Sequence, residues 1–502
     1  MAKRARFGHL LAIAFAIAAA TPAQAGGDPD RGREIYYGRA GGVDAASACV
    51  RCHRPSGLGS FEGGVAATPI AGRHLFAPYD RDTARFFVGQ RSDRVRPAYT
   101  DSALSEVLRT GIAPDGYRLH PAMPRVALDA QVVADLAGYL RQLDARAAPG
   151  VESHVVHLAT ITTPDVEPSR RDAMLATLQA FVTVRNGQTR HEPQRAVVAA
   201  RSREMVKDLK FRHWQLHHWA LEGPAETWAA QIDAAYAAQP VFALVGGVGG
   251  ARWDAVHAFC ERERVPCLLP LVDAAPVAAQ SFYSLYFHRG AALDAAVAAD
   301  AFRAQGIVEV EIWSDADTRG RVAAVSAALV HGGVSVRRGA ASAVSLLPAT
   351  EHASRARHRG AGAVVAWLPG AREVGPEQLM IVAESAPDAL IVSPLRTVVD
   401  DATLRRTRLW LAGRRIQTPH IEVAAAALQA ATALGDSLVH IDFDFTREYA
   451  LELLEHGLEN MLAYGPYPRL AIAPGQREAS KGSYVGRMEQ GRWQWTWRTP
   501  SN

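Results

Sequence analysis

The sequence predicts a multidomain protein in which a small all-α domain precedes a larger, two-lobed α/β domain with parallel sheets. The chain has 502 residues, more than one hydrophobic core usually serves. Before residue 146, apolar residues recur at helical spacing. After residue 152, short β-like runs alternate with amphipathic helices, which is typical of parallel sheets covered by helices.

The composition excludes several classes of protein. With 48% hydrophobic and 21% charged residues, the chain is neither disordered nor collagen-like nor a coiled coil. The formal net charge is +4, and Lys3, Arg4 and Arg6 supply three of these charges in a segment that we expect to be removed, which leaves +1. Because no basic run is interleaved with aromatic residues, the sequence does not predict a nucleic-acid partner.

The N-terminus has the three parts of a secretory signal peptide. Lys3–Arg6 is positively charged, Leu10–Ala20 is apolar and Ala23–Ala25 is an A-x-A cleavage site. An uncleaved membrane anchor is the alternative, but the apolar run is shorter than the ~20 residues that a span needs. We therefore expect residues 1–25 to be removed and the mature protein to reach the periplasm, with no membrane span after cleavage.

The chain has four cysteines, and two of them lie in the segment Cys49-Val50-Arg51-Cys52-His53. C-x-x-C-H is the attachment signature of c-type haem, in which two thiols bind one porphyrin and the adjacent imidazole binds the iron. A redox dithiol or half of a zinc site also uses C-x-x-C, but neither a thioredoxin-like context nor a second ligand pair is present. The sequence predicts one covalent haem c on Cys49 and Cys52, with His53 as proximal ligand.

Met123 is the candidate for the second axial ligand. It is the sole methionine between the signal peptide and residue 170. Pro121 and Pro124 disfavour helix around it, which suits a rigid loop presenting a thioether better than the packing of a core. His74 and His120 are the alternatives, and a bis-histidine site would have a lower reduction potential.

Residues 28–145 resemble the class I cytochrome c family. In that family an N-terminal helix, here Asp30–Arg39, crosses a C-terminal helix, here Asp129–Leu143. A glycine and an aromatic residue of the first meet a leucine and an aromatic residue of the second. The matching residues are Gly32, Tyr36, Leu136 and Tyr139. The resemblance implies a cytochrome c domain over residues 26–146, followed by a linker over 147–152.

Residues 153–502 resemble the type I periplasmic binding proteins, in particular the leucine/isoleucine/valine receptors of ABC importers. Three passages carry this resemblance: Val241–Gly247 with Arg264–Pro270, Phe282–Arg289, and Tyr464–Arg469 through Tyr484. The resemblance implies two Rossmann-like lobes, three crossovers and a small-molecule cleft between the lobes.

The Gly-rich turn departs from the pattern of that family. The family commonly places a Ser or Thr after this turn to hold a ligand carboxylate, whereas Gly247–Ala251 contains no hydroxyl. Backbone N–H groups at the start of the next helix could still hold an anion. An amino acid, a different ligand and no ligand therefore all remain open.

Cys260 and Cys267 lie at a predicted helix end and the next strand start, seven residues apart. In an exported protein this favours a disulfide over two buried thiols. His213, His217 and His218 suggest a metal patch, but their alternation is typical of a strand. Trp493, Trp495 and Trp497 predict a terminal strand with one packed face or a docking surface.

The sequence favours a periplasmic mono-haem c-type cytochrome that carries single electrons between redox partners, such as a periplasmic dehydrogenase or an oxidase-side cytochrome. The solute-binding-like domain then serves ligand or partner binding. The alternative is a solute receptor with a redox-responsive haem. A haem-dependent enzyme is a third reading, but the sequence shows neither an open iron position nor a catalytic acid–base pair.

Overall fold

The computed structural model divides the chain into two compact units, residues 1–145 (unit 1) and 146–502 (unit 2), and each is described by itself. The predicted signal peptide lies outside the described residues. The structure describes residues 27–78, 95–143, 148–188, 212–250, 252–276, 281–360, 362–372, 374–385, 389–395, 402–439, 441, 445–460, 465–468, 470–472 and 475–501.

The described part of unit 1 is mainly helical. Asp28 begins the first helix, because its carboxylate accepts hydrogen bonds from the backbone N–H groups of Asp30 and Arg31. The elements are helices α1 (Pro29–Tyr36), α2 (Val50–His53), α3 (Gly72–Phe76), α4 (Asp101–Thr110) and α5 (Ala130–Gln142), and an antiparallel ribbon of β1 (Ser60–Glu62) and β2 (Val65–Ala67).

Helices α1 and α5 pack closely because a glycine lies at their crossing. A Cβ atom on Gly32 would lie 2.0 Å from the backbone oxygen of Asp135, so no side chain fits there. The rings of Tyr36 and Tyr139 meet nearby, with centroids 5.3 Å apart. The buried Asp135 carboxylate accepts from the backbone N–H of Asp28 and pairs with Arg31, which fixes the start of α1 against α5.

Lobe 1 of unit 2 is built on a parallel sheet. Its strand order is β15-β9-β7-β5-β3-β6-β8, with β4 beside β3, and every pairing between described residues of this sheet is parallel. The strands are β3 (Val155–Thr162), β4 (His213–Ala220), β5 (Ala243–Val245), β6 (Val248–Gly249), β7 (Cys267–Leu268), β8 (Leu271–Val272), β9 (Ser284–His288) and β15 (Glu478–Ser480). The helices are α6 (Pro168–Gln188), α7 (Trp228–Ala238), α8 (Asp254–Glu263), α13 (Ala402–Ala412), α14 (Ile421–Val439) and α15 (Arg447–Asn460).

Lobe 2 has a mixed sheet, in the order β11-β10-β12-β13-β14-β16-β17. The last two strands are antiparallel and turn at Gln490 and Gly491, both with positive φ, as a two-residue hairpin requires. The strands are β10 (Glu309–Trp313), β11 (Ser335–Val336), β12 (Ser342–Ser345), β13 (Val365–Trp367), β14 (Leu390–Ser393), β16 (Ser483–Glu489) and β17 (Arg492–Arg498). The helices are α9 (Ala291–Arg303), α10 (Val322–His331), α11 (Ala349–Ala356) and α12 (Pro376–Ser385).

The chain passes between the lobes three times. It leaves lobe 1 after β9, returns after β14 and leaves again after β15. Glycines occupy two of these passages because the backbone there is crowded: a Cβ atom would lie 2.2 Å from the Asp273 carbonyl oxygen at Gly290, and 2.1 Å from the Arg498 carbonyl oxygen at Gly482. The two lobes and three crossovers implied by the sequence are thus present, although the second lobe is not purely parallel. Among the described residues, no helix is both long and apolar enough to cross a lipid bilayer.

Three buried polar side chains meet beside the first and third passages. The hydroxyl of Ser483 donates to Asp294 Oδ1 at 2.6 Å and lies 3.3 Å from His288 Nε2. Burial raises the pKa of Asp294 to about 7, and burial lowers the pKa of His288 to about 3. Other charged or titratable groups near this cluster are Arg321, which opposes the shift at Asp294, and Tyr467, whose ring stacks on His288.

Replacing Asp294 by Asn should make the free energy of unfolding increase more steeply with pH than it does in the wild type. In the native state the Asp294 carboxyl keeps its proton up to about pH 7, whereas in the unfolded chain its pKa is the ordinary 3.8. Between these two pH values the group therefore lowers the free energy of unfolding of the wild type as pH rises. Removing it should change the slope by about +1.4 kcal/mol per pH unit. His288→Gln should change the slope with the opposite sign between about pH 3 and 6.5.

Urea unfolding of the full chain from pH 4 to 7, followed by tryptophan fluorescence, measures these slopes. Asp317→Asn, at an exposed position of lobe 2, is the control and should follow the wild type. Parallel profiles for wild type and Asp294→Asn would contradict the assignment.

Candidate functional site

The candidate site of unit 2 lies where the carboxyl ends of strands from both lobes face each other. Ligands of parallel α/β sheets bind at such ends, where the loops that follow the strands converge. Side chains and backbone groups of the two lobes are in direct contact here, through Asp273 and Arg170 of lobe 1 and through Arg321 and Ala371 of lobe 2. We call this region the interlobe site.

An ion pair joins the two lobes at the interlobe site. Asp273 follows β8, and Arg321 lies in a short 3-10 turn before α10. Nε of Arg321 donates to Asp273 Oδ2 at 3.1 Å, and Nη2 donates to the same oxygen. Arg321 is 3% exposed, so its charge depends on this carboxylate for compensation.

Arg170, in the first turn of α6, connects three parts of unit 2. Its Nη1 donates to Glu422 Oε1 at the start of α14 at 2.7 Å, and its Nη2 donates to the carbonyl oxygen of Ala371 at 3.4 Å. Ala371 belongs to the loop after β13 in lobe 2 and packs against the core of lobe 1. Arg170 therefore holds this loop of lobe 2 against lobe 1.

Arg372 belongs to the same loop and makes no hydrogen bond or ion pair within the described part of unit 2. The loop bends at Gly370, where φ is +71° and a Cβ atom would lie 3.2 Å from Arg321 Nη1. The pKa of the Arg372 guanidinium is lowered, first by loss of surrounding water and next by the charge of Arg321. Although the side chain as a whole is exposed, its charged end lies in a crowded, positive region.

The Gly-rich turn of lobe 1 does not form an anion-binding helix start. The indole of Trp253 covers it, and a Cβ atom on Gly249 would lie 2.5 Å from that ring. The next helix begins at Asp254, whose own charge occupies its first turn. Beside Gly250 lies the carboxylate of Asp165, which would repel an anion. The glycines of this turn are therefore explained by packing.

The predicted haem-attachment residues of unit 1 lie together on α2. Cys49 is the N-cap and half-buried, Cys52 is exposed, and both are free thiols. Burial raises the pKa of Cys49 to about 11, which is the opposite of what a redox dithiol or a thiolate ligand needs.

His53 is held as a neutral imidazole. Burial lowers its pKa to about 4, and its Nδ1 lies 2.8 Å from the carbonyl oxygen of Thr68. Because a carbonyl oxygen only accepts, Nδ1 carries the proton and donates it. The lone pair is left on Nε2, which makes no hydrogen bond with any described residue.

Met123 lies in a loop that an arginine holds in place. The guanidinium of Arg125 donates to the carbonyl oxygens of Met123 at 2.6 Å and of Leu119 at 3.2 Å. This guanidinium packs against Gly111, where a Cβ atom would lie 2.2 Å from it. Met123 and Cys49 border the same hydrophobic core of unit 1. Sequence reasoning singled out Met123 but missed Arg125 and Thr68, which position the candidate ligands.

The remaining predicted residues lie apart from both groups. Cys260 and Cys267 form a disulfide with a Cα–Cα distance of 6.1 Å, at the end of α8 and the start of β7. His217 and His218 lie on β4, where His217 hydrogen-bonds to His157 at 3.0 Å. Within the described ranges, no group of three or more His, Cys, Asp or Glu side chains is placed to hold a metal ion.

Sequence reasoning also missed the charged residues of the interlobe site. A usable signal was present, since Arg170, Arg321 and Arg372 each follow the end of a strand by five to eight residues. Their convergence depends on how the two lobes face each other, which the sequence pattern does not specify.

No family model and no curated protein matches the chain. Among solved structures, it is similar to a leucine-binding protein from Thermotoga maritima (16% identity, 69% of this chain and 99% of that one, TM-score 0.46). It is also similar to a fatty acid ABC transporter substrate-binding protein from Thermomonospora curvata (11% identity, 71% of this chain and 94% of that one, TM-score 0.47). A third similar structure is an ABC transporter substrate-binding protein from Aeropyrum pernix (12% identity, 70% of this chain and 97% of that one, TM-score 0.49). Because these identities and scores are low, we assign the fold from the strand order and crossovers above.

The prediction that the chain is a mono-haem cytochrome carrying single electrons between redox partners is wrong. Most of the described chain is a two-lobed α/β unit with charged groups converging between its lobes, which electron transfer does not require. Carrying electrons between partner proteins therefore does not describe the larger unit, and a redox partner protein is unsupported. The haem c itself stays a prediction.

Replacing Asp273 by Asn should destabilise the protein by about 2–4 kcal/mol, because it leaves the buried Arg321 guanidinium without its counter-charge. Arg321→Met should cost less, since the buried position then holds an apolar side chain, and the double variant should cost no more than Asp273→Asn alone. Urea unfolding of the full chain measures these differences.

Glu309→Gln is the matched control, because it removes the partner of Arg337 in an exposed pair of lobe 2 and should cost less than about 1 kcal/mol. An equal loss for Asp273→Asn and Glu309→Gln would show that the interlobe pair is not structurally important.

Proposed function

We propose that the protein is an exported solute receptor, whose interlobe site binds a small molecule and whose unit 1 carries a redox-responsive haem. The observation that supports the receptor function is the convergence of Asp273, Arg321, Arg170 and Arg372 from two lobes that the chain crosses three times. A ligand at this position touches both lobes at once, so its binding energy depends on their relative arrangement.

Among the described residues, the carboxylates of the interlobe site are not arranged as a catalytic acid–base pair. Asp273 and Glu422 are held in ion pairs with Arg321 and Arg170. A general acid or base has to be free to exchange a proton with its substrate. The arrangement suits recognition of charge and shape, which is the task of a receptor.

A ligand screen by thermal unfolding tests the receptor function. Amino acids, organic acids, sugars, phosphates and polyamines are added to the purified full chain, and the melting temperature is measured. A ligand present at 100 times its Kd stabilises the native state by about 2.7 kcal/mol, so the true class should raise Tm by several degrees. The calorimetric Kd of the best compound checks the result. No stabilisation by any class would contradict the proposal.

The residues of unit 1 fit a covalent haem. Cys49 and Cys52 are free thiols at the required spacing, and the pKa of Cys49 does not suit the competing dithiol chemistry. His53 presents a neutral imidazole whose Nε2 makes no hydrogen bond with a described residue, and Met123 is held by Arg125 in a loop beside the same core. Cys49 and Cys52 would hold the haem, His53 and Met123 would be its iron ligands, and the bound haem would supply a one-electron redox couple.

The haem proposal predicts an added mass on the exported chain and a c-type spectrum in alkaline pyridine. Cys49→Ser with Cys52→Ser should abolish both, because no thiol remains to bind the porphyrin. Cys260→Ser with Cys267→Ser is the matched control and should retain them. Met123→Ala should keep the added mass but make the absorption spectrum sensitive to cyanide. An exported wild-type chain with the mass of the polypeptide alone would overturn the proposal.

A further inference from the structure

The charged groups of the interlobe site are paired, with one exception. Asp273 binds Arg321, and Glu422 binds Arg170. Both are carboxylates already compensated by a guanidinium. Arg372 is the exception, since it has no hydrogen-bonded or ion-paired partner among the described residues. The uncommitted charge of this cluster is therefore positive.

The third carboxylate of the cluster is also occupied. Asp315, in the loop after β10, accepts hydrogen bonds from the backbone N–H and the hydroxyl of Thr318, each at 2.7 Å. These bonds lower the pKa of Asp315 and hold its charge within its own loop. Among the described residues, the carboxylates that act electrostatically on Arg372 are Asp273 and Asp315, and both are already engaged.

The three guanidinium groups converge on one loop. Arg170 reaches the carbonyl oxygen of Ala371, and Arg321 lies against Gly370, so both contact the segment that carries Arg372. Two of these guanidiniums are fixed by their own ion pairs, and the third is free to bind. A planar guanidinium is well suited to bind a carboxylate through two parallel hydrogen bonds.

We propose that the solute is a small organic carboxylate without an amino group, and that its carboxylate binds Arg372 beside Arg321. This inference rests on the proposed function and names the ligand class for the same site. A zwitterionic amino acid would bring an ammonium group into a region with three guanidiniums, where the described carboxylates Asp273, Asp315 and Glu422 are already engaged. Repulsion and the lost hydration of that ammonium would select against it.

Asp165 is an exposed carboxylate outside this cluster that an ammonium group could bind. It lies in the loop after β3, is exposed and accepts a hydrogen bond from Thr163. It adjoins Gly250 of the Gly-rich turn and is not among the main electrostatic neighbours of Arg372. If the ligand were an amino acid, Asp165 would be its ammonium partner, so this residue separates the two ligand classes.

Four matched pairs of compounds test the proposal by calorimetric titration of the full chain. Each pair differs only at C2: pyruvate and alanine, 4-methyl-2-oxopentanoate and leucine, phenylpyruvate and phenylalanine, 2-oxoglutarate and glutamate. At least one oxo acid should bind, and bind more tightly than its amino acid. Arg372→Gln should then raise the Kd of that oxo acid about 10- to 100-fold, because a charged hydrogen-bond partner is lost.

Two variants are the controls for charge and for the alternative ligand. Arg337→Gln removes one positive charge from an exposed edge of lobe 2 and should leave Kd unchanged. Asp165→Asn should not weaken binding of the oxo acid.

The outcomes separate the ligand class from the receptor function. Tighter binding of an amino acid than of its oxo acid, or equal binding by Arg372→Gln and wild type, would overturn the carboxylate proposal while the receptor function stands. Binding of only sugars, phosphates or polyamines in the broader screen would do the same. If no compound of any class binds, both proposals fail.

Discussion

The architecture of unit 2 depends on the contact between Arg321 and Asp273, which sets the two lobes opposite each other. Burying a guanidinium is costly in free energy, and the carboxylate from the other lobe offsets that cost. The geometry that satisfies this pair also leads the loop with Gly370 past Arg321, and so places Arg372 between the lobes. Separating the lobes would return both charges to water. The pair therefore contributes little net free energy to closure while it determines which side chains face each other.

The passages between the lobes add a second constraint. At Gly290 and Gly482 the backbone passes so close to neighbouring carbonyl groups that a side chain would not fit. His288, Asp294 and Ser483 fill the space beside these passages as one hydrogen-bonded cluster. Since burial favours the neutral forms of His288 and Asp294, the cluster adds polarity without a permanent charge at slightly acidic pH. These contacts constrain the backbone where it passes from one lobe to the other.

The sequence predicts the elements of this fold much better than it predicts the interlobe site. The residue pattern locates α5 and β3, because α5 buries one face and β3 buries both faces over a long run. The alternation of strands and helices predicts parallel α/β structure, and the length of unit 2 predicts two lobes. Neither predicts the antiparallel β16 and β17, since the direction of a returning strand depends on the crossover before it. The pairing of Arg321 with Asp273 is beyond sequence patterns, because the two residues lie on different lobes.

A short, specific motif led sequence reasoning to the wrong emphasis. C-x-x-C-H identifies the chemistry of five residues, whereas the larger unit has only weak motifs spread over its length. The two ideas differ in what they require of the haem. An electron carrier needs a potential that is independent of small solutes. In a receptor with a redox-responsive haem, solute binding and redox state share a coupling free energy, so each changes the equilibrium of the other by the same factor. That reciprocity follows from thermodynamics alone and holds for any arrangement of the two units.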